Sequence, residues 1–147
     1  MVDIEYIEIN EIPDVNPEFL FSWYVDVVSG YKKELGDITV IFCSDEYLLE
    51  MNREHLDHDY YTDIITFDYT EGKVVSGDLF ISLDRVRDNA ESEKVSFRDE
   101  VHRVCVHGVL HLCGLKDKSE EDEVAMRAAE NLALEKRMFH VEHLKSN

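Results

Sequence analysis

The stretch Val101–Lys118, reading V-H-R-V-C-V-H-G-V-L-H-L-C-G-L-K-D-K, constrains the fold more than any other part of the chain. Its helical run is apolar on nearly every side, through Val101, Val104, Cys105, Val106, Val109, Leu110, Leu112 and Cys113. A helix that is hydrophobic all round belongs inside, with the other elements built around it. His107 and His111 lie within the run, spaced by four residues. Residues at that spacing lie one above the other, roughly 5–6 Å apart at Cβ, so both imidazoles can reach one ion. Burying two imidazoles costs free energy unless both are hydrogen-bonded or ligated. The bland alternative is a pair of satisfied core histidines, and the apolar surroundings weigh against it. Gly108 adds to this, because a mid-helix glycine costs about 0.5–1 kcal/mol relative to alanine. Its presence implies close approach of another backbone or a ligand.

Gly114 offers a helix stop, since glycine takes a left-handed conformation cheaply. Past that turn, Asp117 is placed to swing back as a third, anionic ligand. Two histidines and one carboxylate leave a fourth tetrahedral position open, the arrangement of a catalytic zinc rather than a structural one. One zinc ion per chain is the expectation. The segment is H-G-V-L-H, without the glutamate of H-E-x-x-H, which argues against peptide hydrolysis by the zinc-protease route.

Around the central helix the pattern alternates strand and helix. Val2–Ile9 reads as a strand. Asn16-Pro17 caps a helix that carries Phe19, Leu20, Trp23, Val27 and Tyr31 at helical spacing toward Leu35. Gly36-Asp37 is expected to break it, and Ile38–Cys43 is the next strand. Ser44 opens a second helix to about Glu54. His55–Tyr61 is a polar, aromatic loop; in it His55, Asp57, His58 and Asp59 form a weak second metal candidate, and Tyr60 and Tyr61 are available for stacking. Thr62–Tyr69 and Ser76–Leu83 are two strands joined near Glu71-Gly72, followed by a helix over Asp84–Glu93. Ser96 with Asp99 and Ser119 with Asp122 are capping boxes. The last helix offers Val124, Met126, Ala128, Leu132 and Leu134 as candidate core. With no repeats and no linker, residues 1–147 are expected to form one mixed-sheet α/β (α+β) domain, helices packed on the sheet.

Several of these pieces resemble the YbeY family of metal-dependent bacterial endoribonucleases. H-G-V-L-H-L-C-G-L-K-D is similar to the family signature H-G-x-L-H-L-x-G-Y-D-H. Thr62–Phe67 is similar to its T-D-V-L-S-F, Gly77–Ser82 to its G-D-I-x-I-S, and Met51-Asn52 stands where the family has L-N. The resemblance implies a cytoplasmic single-strand endoribonuclease of ribosomal RNA maturation, working at the 3′ end of the small-subunit RNA, with the ribosomal small subunit as partner. It implies neither a DNA nor a membrane partner. It carries His107 and His111 over as metal ligands. The family's third histidine is replaced by Asp117, an accepted zinc ligand that makes the site one charge less positive. Leu56 stands at a family arginine position, with Arg53 nearby but out of register. Asp63 and Asp78, in the family-like strands, are candidates for the general base, attack being open to water or to a ribose 2′-OH. Their structural role would be to orient ligand imidazoles.

Charge opposes an RNA partner: Lys and Arg total 15 against 33 Asp and Glu, a formal −18. A locally positive cleft is still available from Arg103, Lys116 and Lys118, the candidate substrate-binding residues. Three cysteines, an odd number without framework spacing, fit a reducing compartment, and Cys105 and Cys113 read as core. No apolar run approaches a membrane span. Two other functions fit the residues: a metal hydrolase for a different ester or amide, and a non-enzymatic ribosome-associated module whose metal pins the Asp117 turn.

Overall fold

Four strands form one mixed sheet in a computed structural model that describes residues 1–56 and 60–141. They are β1 (Val2–Ile7), β2 (Glu34–Cys43), β3 (Ile64–Asp68) and β4 (Val74–Ser82), in the order β1-β2-β4-β3. β1 and β4 each run parallel to β2, and β3 is antiparallel to β4. A parallel pair needs a crossover; α1 (Pro17–Ser29) supplies the first, and α2 (Asp45–Leu56) with β3 the second. The β3–β4 pair is a hairpin closed at Glu71 and Gly72, as the sequence indicates. Then come α3 (Leu83–Glu93), α4 (Phe97–Leu112), α5 (Glu120–Lys136) and a short 3-10 turn, Arg137–Phe139.

Strand alternation sorts the side chains into two layers. Val40, Phe42, Val75, Leu79 and Ile81 face α1 and α4, with α5 closing over them. Cys43 and Ile65 face Leu48 of α2 on the other side. The central helix α4 is largely buried from Glu100 to Leu112, as its composition requires. Two buried polar groups tie its neighbours to it and to each other: Tyr24 Oη donates to the Cys105 carbonyl at 2.8 Å, and Trp23 Nε1 to the Ala133 carbonyl at 2.8 Å.

Gly108 lies where α4 presses on the hairpin. A Cβ there would stand 2.8 Å from Leu79 Cδ2 and 2.9 Å from Ile64 Cδ1, so the close approach comes from sheet side chains rather than from backbone or ligand. The caps form where the sequence places them. Asn16 Oδ1 accepts from Phe19 N–H at 2.8 Å, and Ser119 with Asp122 makes both halves of a capping box; at Ser96 only one half forms, Oγ accepting from Asp99 N–H at 3.0 Å, while the Asp99 carboxylate accepts from Arg137.

Several boundaries differ from the sequence reading. β1 stops at Ile7 because Glu8 turns into the left-handed region at φ 57°. α1 ends at Ser29, six residues short of Leu35, and the chain reverses through Lys32 at φ 59°. Gly36 and Asp37 consequently sit inside β2, at a register slip between Leu35 and Ile38, and do not separate helix from strand. His55 and Leu56 complete α2 and are not loop. α5 turns Met126, Ala129, Glu130, Ala133 and Leu134 inward, while Val124 and Leu132 are 72% and 58% exposed and Ala128 is also outside. Met126 and Leu134 are thus core as read, and the other three are not.

Candidate metal centre

Helix α4 presents His107 and His111 at the end where it meets the turn to α5, their ring centroids 4.7 Å apart and their planes at 82°. The turn is set by Gly114 at φ +106°, where no side chain would meet an obstacle but a β-carbon would strain the backbone. Leu115 N–H bonds back to the Leu110 carbonyl at 3.1 Å, and Gly114 N–H to the His111 carbonyl at 2.9 Å. That closure aims the Leu115 carbonyl at His111 Nδ1, 3.0 Å away. It also carries Asp117 back over the helix. Its Oδ2 lies 3.4 Å from His107 Nε2 and 3.2 Å from His111 Nε2.

The hydrogen bonds decide which ring nitrogens face Asp117. A carbonyl can only accept, so His111 Nδ1 must donate to Leu115. His107 Nδ1 stands 2.7 Å from Glu130 Oε2, and an ionised carboxylate likewise only accepts. Both Nδ1 atoms therefore carry a hydrogen, which leaves Nε2 as the one atom of each ring that can ligate once the ring is neutral, and both Nε2 atoms face the Asp117 oxygen. The three ligand atoms lie within 4.8 Å of one another. Zinc bonds of roughly 2.0–2.2 Å in tetrahedral geometry set ligand atoms about 3.3–3.6 Å apart, close to the two Asp117–histidine distances. Three electron-rich atoms converging on one point are a donor set that a divalent cation satisfies, and the residues present fit one.

Glu130, which sequence reasoning missed, is 6% exposed. Its other oxygen, Oε1, accepts from Arg103 NH1 at 2.9 Å, and Arg103 NH2 donates to Asn131 Oδ1 at 2.9 Å. Burial opposes the charge of Glu130, but the hydrogen bonds from His107 and Arg103 hold its carboxyl below the ordinary value. Burial likewise opposes a proton on His107. The hydrogen bond and charge of Glu130, with the charges of Asp63 and Asp117, outweigh it and raise the imidazole's pKa. A signal for Glu130 was present in the sequence: it shares the face of Met126 and Ala133, where a glutamate is costly unless paired.

A cavity of about 250 Å³ opens beside His107, lined by Asp63, Asn89, Glu100, Arg103, Arg127 and Glu130 among others. Asp63 Oδ2 accepts from Asn89 Nδ2 at 3.3 Å, and burial raises its pKa. Asp63 is therefore brought to the site. Asp78 is not: it shares the sheet face of Phe80, away from α4, and accepts from Tyr69 Oη at 3.3 Å. Arg103 is committed to Glu130, whereas Lys116 and Lys118 are exposed on the turn beside Asp117.

On α2, Leu56 is 41% exposed and Arg53 pairs with Glu50 at 3.4 Å. Asn52 of the family-like element is buried and donates to the Tyr60 carbonyl at 2.9 Å, which pins the chain just before Thr62. Tyr61 donates to Glu46 at 2.8 Å with Arg85 over its ring, so it packs the loop, and Tyr60 is exposed. Asp57, His58 and Asp59 of the weaker metal candidate lie outside the described residues. Cys105 and Cys113 are buried thiols, pushed up to about 12 and about 11 by burial, which fits core residues.

The family model described as Endoribonuclease YbeY matches residues 7–138. An Endoribonuclease YbeY of Porphyromonas gingivalis is 54% identical over 129 residues, 88% of this chain and 85% of that protein. One from Bacteroides thetaiotaomicron is 53% identical over 124 residues, covering 84% and 90%. A Thermotoga maritima protein whose structure was determined in solution shares the fold at a TM-score of 0.63 and 22% identity, covering 98% of this chain and 93% of that one.

Proposed function

The chain belongs to the YbeY family of endoribonucleases, and from that membership we propose a zinc-dependent cleavage of single-stranded ribosomal RNA, performed by residues 1–147 as one domain. The substrate is RNA; its ribosomal origin, in the maturation of the small-subunit RNA in the cytoplasm, and the identity of the metal are the proposal. The observation that carries it is the convergence of His107 Nε2, His111 Nε2 and Asp117 Oδ2, with both Nδ1 atoms occupied elsewhere. These three residues would hold one zinc ion. When bound, such an ion supplies Lewis-acid polarisation of a phosphoryl oxygen and lowers the pKa of water.

The protein's own groups divide the remaining work. Glu130 and the Leu115 carbonyl hold the two imidazoles in the tautomer and orientation the site needs. Asp63, in the cavity beside His107, is the carboxylate placed to accept a proton from the attacking hydroxyl, because its burial keeps it a better base than an exposed aspartate. Lys116 and Lys118 flank the open side and meet the phosphate backbone there, a local cationic edge on a chain of net charge −18.

Cleavage of a fluorescent single-stranded RNA tests this, with wild type beside His111→Ala and Asp63→Asn. Zinc-dependent cleavage lost in both variants is expected. Cleavage that persists in His111→Ala contradicts the assignment of the site. A zinc-loaded protein that leaves RNA intact supports the binding module instead.

A further inference from the structure

We propose that Glu130 is a positioning residue of the metal centre, fixing His107 through its Nδ1 hydrogen while Arg103 fixes Glu130 in turn. The inference rests on the metal reading above and deepens it, and its first readout does not need the metal.

A carboxylate 6% exposed is expensive unless both oxygens are occupied, and here each has one partner on α4. Oε2 takes the His107 Nδ1 hydrogen at 2.7 Å, and Oε1 takes Arg103 NH1 at 2.9 Å. Arg103 and His107 are four residues apart, so they form one ridge of α4, and Glu130 spans them from α5. The second arginine amine goes to Asn131 Oδ1 at 2.9 Å, which orients the guanidinium as a fork. A chain from Asn131 through Arg103 and Glu130 results, with the His107 ring at its end and its Nε2 3.4 Å from Asp117 Oδ2.

Each link has a physical consequence. An imidazole without a partner on Nδ1 populates both tautomers, and the form with hydrogen on Nε2 cannot ligate through that atom. A carboxylate on Nδ1 removes that form and makes Nε2 a stronger donor. Arg103 keeps Glu130 ionised and stops it from rotating away. The same geometry engages Arg103, placed one turn before a ligand histidine, with Glu130 and Asn131 through NH1 and NH2.

A merely structural Glu130 would bolt α5 onto α4 and do no more. Three variants separate the two roles: Glu130→Ala, Glu130→Gln and Arg103→Met. The first readout is the 15N spectrum of the imidazoles in chelator-treated protein, which reports the tautomer of His107 directly. The second is zinc affinity by competition with a chelator, and the third is the urea midpoint. At a pH where the ring is neutral, wild type is expected to show His107 as the Nδ1-protonated form. Glu130→Ala should give a tautomer mixture and a zinc affinity lower by about 10- to 100-fold. Glu130→Gln still offers an oxygen to Nδ1, so it should keep the tautomer and recover most of that affinity. Arg103→Met should fall between the two.

If Glu130→Ala lowers only the urea midpoint, with tautomer and zinc affinity as in wild type, the positioning role is overturned and the metal site stands. If wild type takes up no zinc, both the metal reading and this inference fall. If Glu130→Ala does not fold, the Glu130→Gln and Arg103→Met pair decides: zinc affinities equal to wild type in both overturn the inference.

Discussion

Replacing Glu100 by glutamine should stabilise the protein at alkaline pH and leave it unchanged at acid pH. Glu100 is 5% exposed, and its Oε1 has no hydrogen-bond partner among the described residues; Arg103 Nε stands 3.9 Å away. Burial pushes its carboxyl from the ordinary 4.5 to about 7, with Asp63 and Glu130 adding to the rise and Arg103 and Arg127 opposing it. Well below pH 4.5 the group is protonated in folded and unfolded chains alike, so its contribution is fully present. As pH climbs through about 7 the folded chain must ionise a buried group that the unfolded chain ionises freely, and the contribution is lost. The interval is roughly 2.5 pH units at about 1.4 kcal/mol each, or ~3 kcal/mol in all. Glutamine has the same shape and no charge at any pH. Urea unfolding of the chelator-treated protein at about pH 3.5, 6 and 8, followed by circular dichroism, should show Glu100→Gln equal to wild type at the lowest pH and about 3 kcal/mol more stable at the highest. His102, which burial lowers to about 4, titrates in both proteins and cancels in the difference. A difference that stays constant with pH, or grows toward acid, refutes the reasoning.

Gly108→Val forces a branched side chain against Leu79 and Ile64, and the urea midpoint should report a loss of about 1–3 kcal/mol. Gly114→Ala should cost at least about 1 kcal/mol from its backbone conformation alone. It should also weaken zinc binding, measured by chelator competition, because it displaces the Leu115 carbonyl from His111. Gly72→Ala, at φ +59° on the hairpin, is the control: it should lower stability similarly and leave zinc affinity alone. Asp117→His should retain zinc and make the site one charge more positive, moving the rise of RNA cleavage with pH to lower pH; an unchanged pH profile would mean Asp117 does not face the reacting centre.

The parts of the fold visible in the sequence are those that local chemistry decides. Helix α4 was legible because it is apolar on all sides and bracketed by Ser96 and Gly114, and the hairpin because Gly72 punctuates two β-rich runs. The same turn at Gly114 placed Asp117. The end of α1 was not legible, since Tyr31 continues the helical spacing that Val27 began, and only the pairing of Glu34 N–H with the Lys73 carbonyl shows that β2 has already started. The face of α5 was ambiguous for a related reason: Val124, Ala128 and Leu132 recur at helical spacing, and so do Met126, Ala129 and Ala133. Which stripe goes inside depends on packing against α4, and Glu130 was lost with that choice. Asp63 and Asp78 look alike as aspartates of the two family-like strand segments. They separate only when the sheet is built and one of its faces receives α4.

The most direct test of the metal centre is elemental analysis of purified wild type beside His111→Ala and Asp117→Ala, with folding checked by circular dichroism. About one zinc per wild-type chain, lost in both folded variants, is the predicted result. Zinc retained by Asp117→Ala, or no zinc in wild type after zinc is supplied, would contradict the three-residue site.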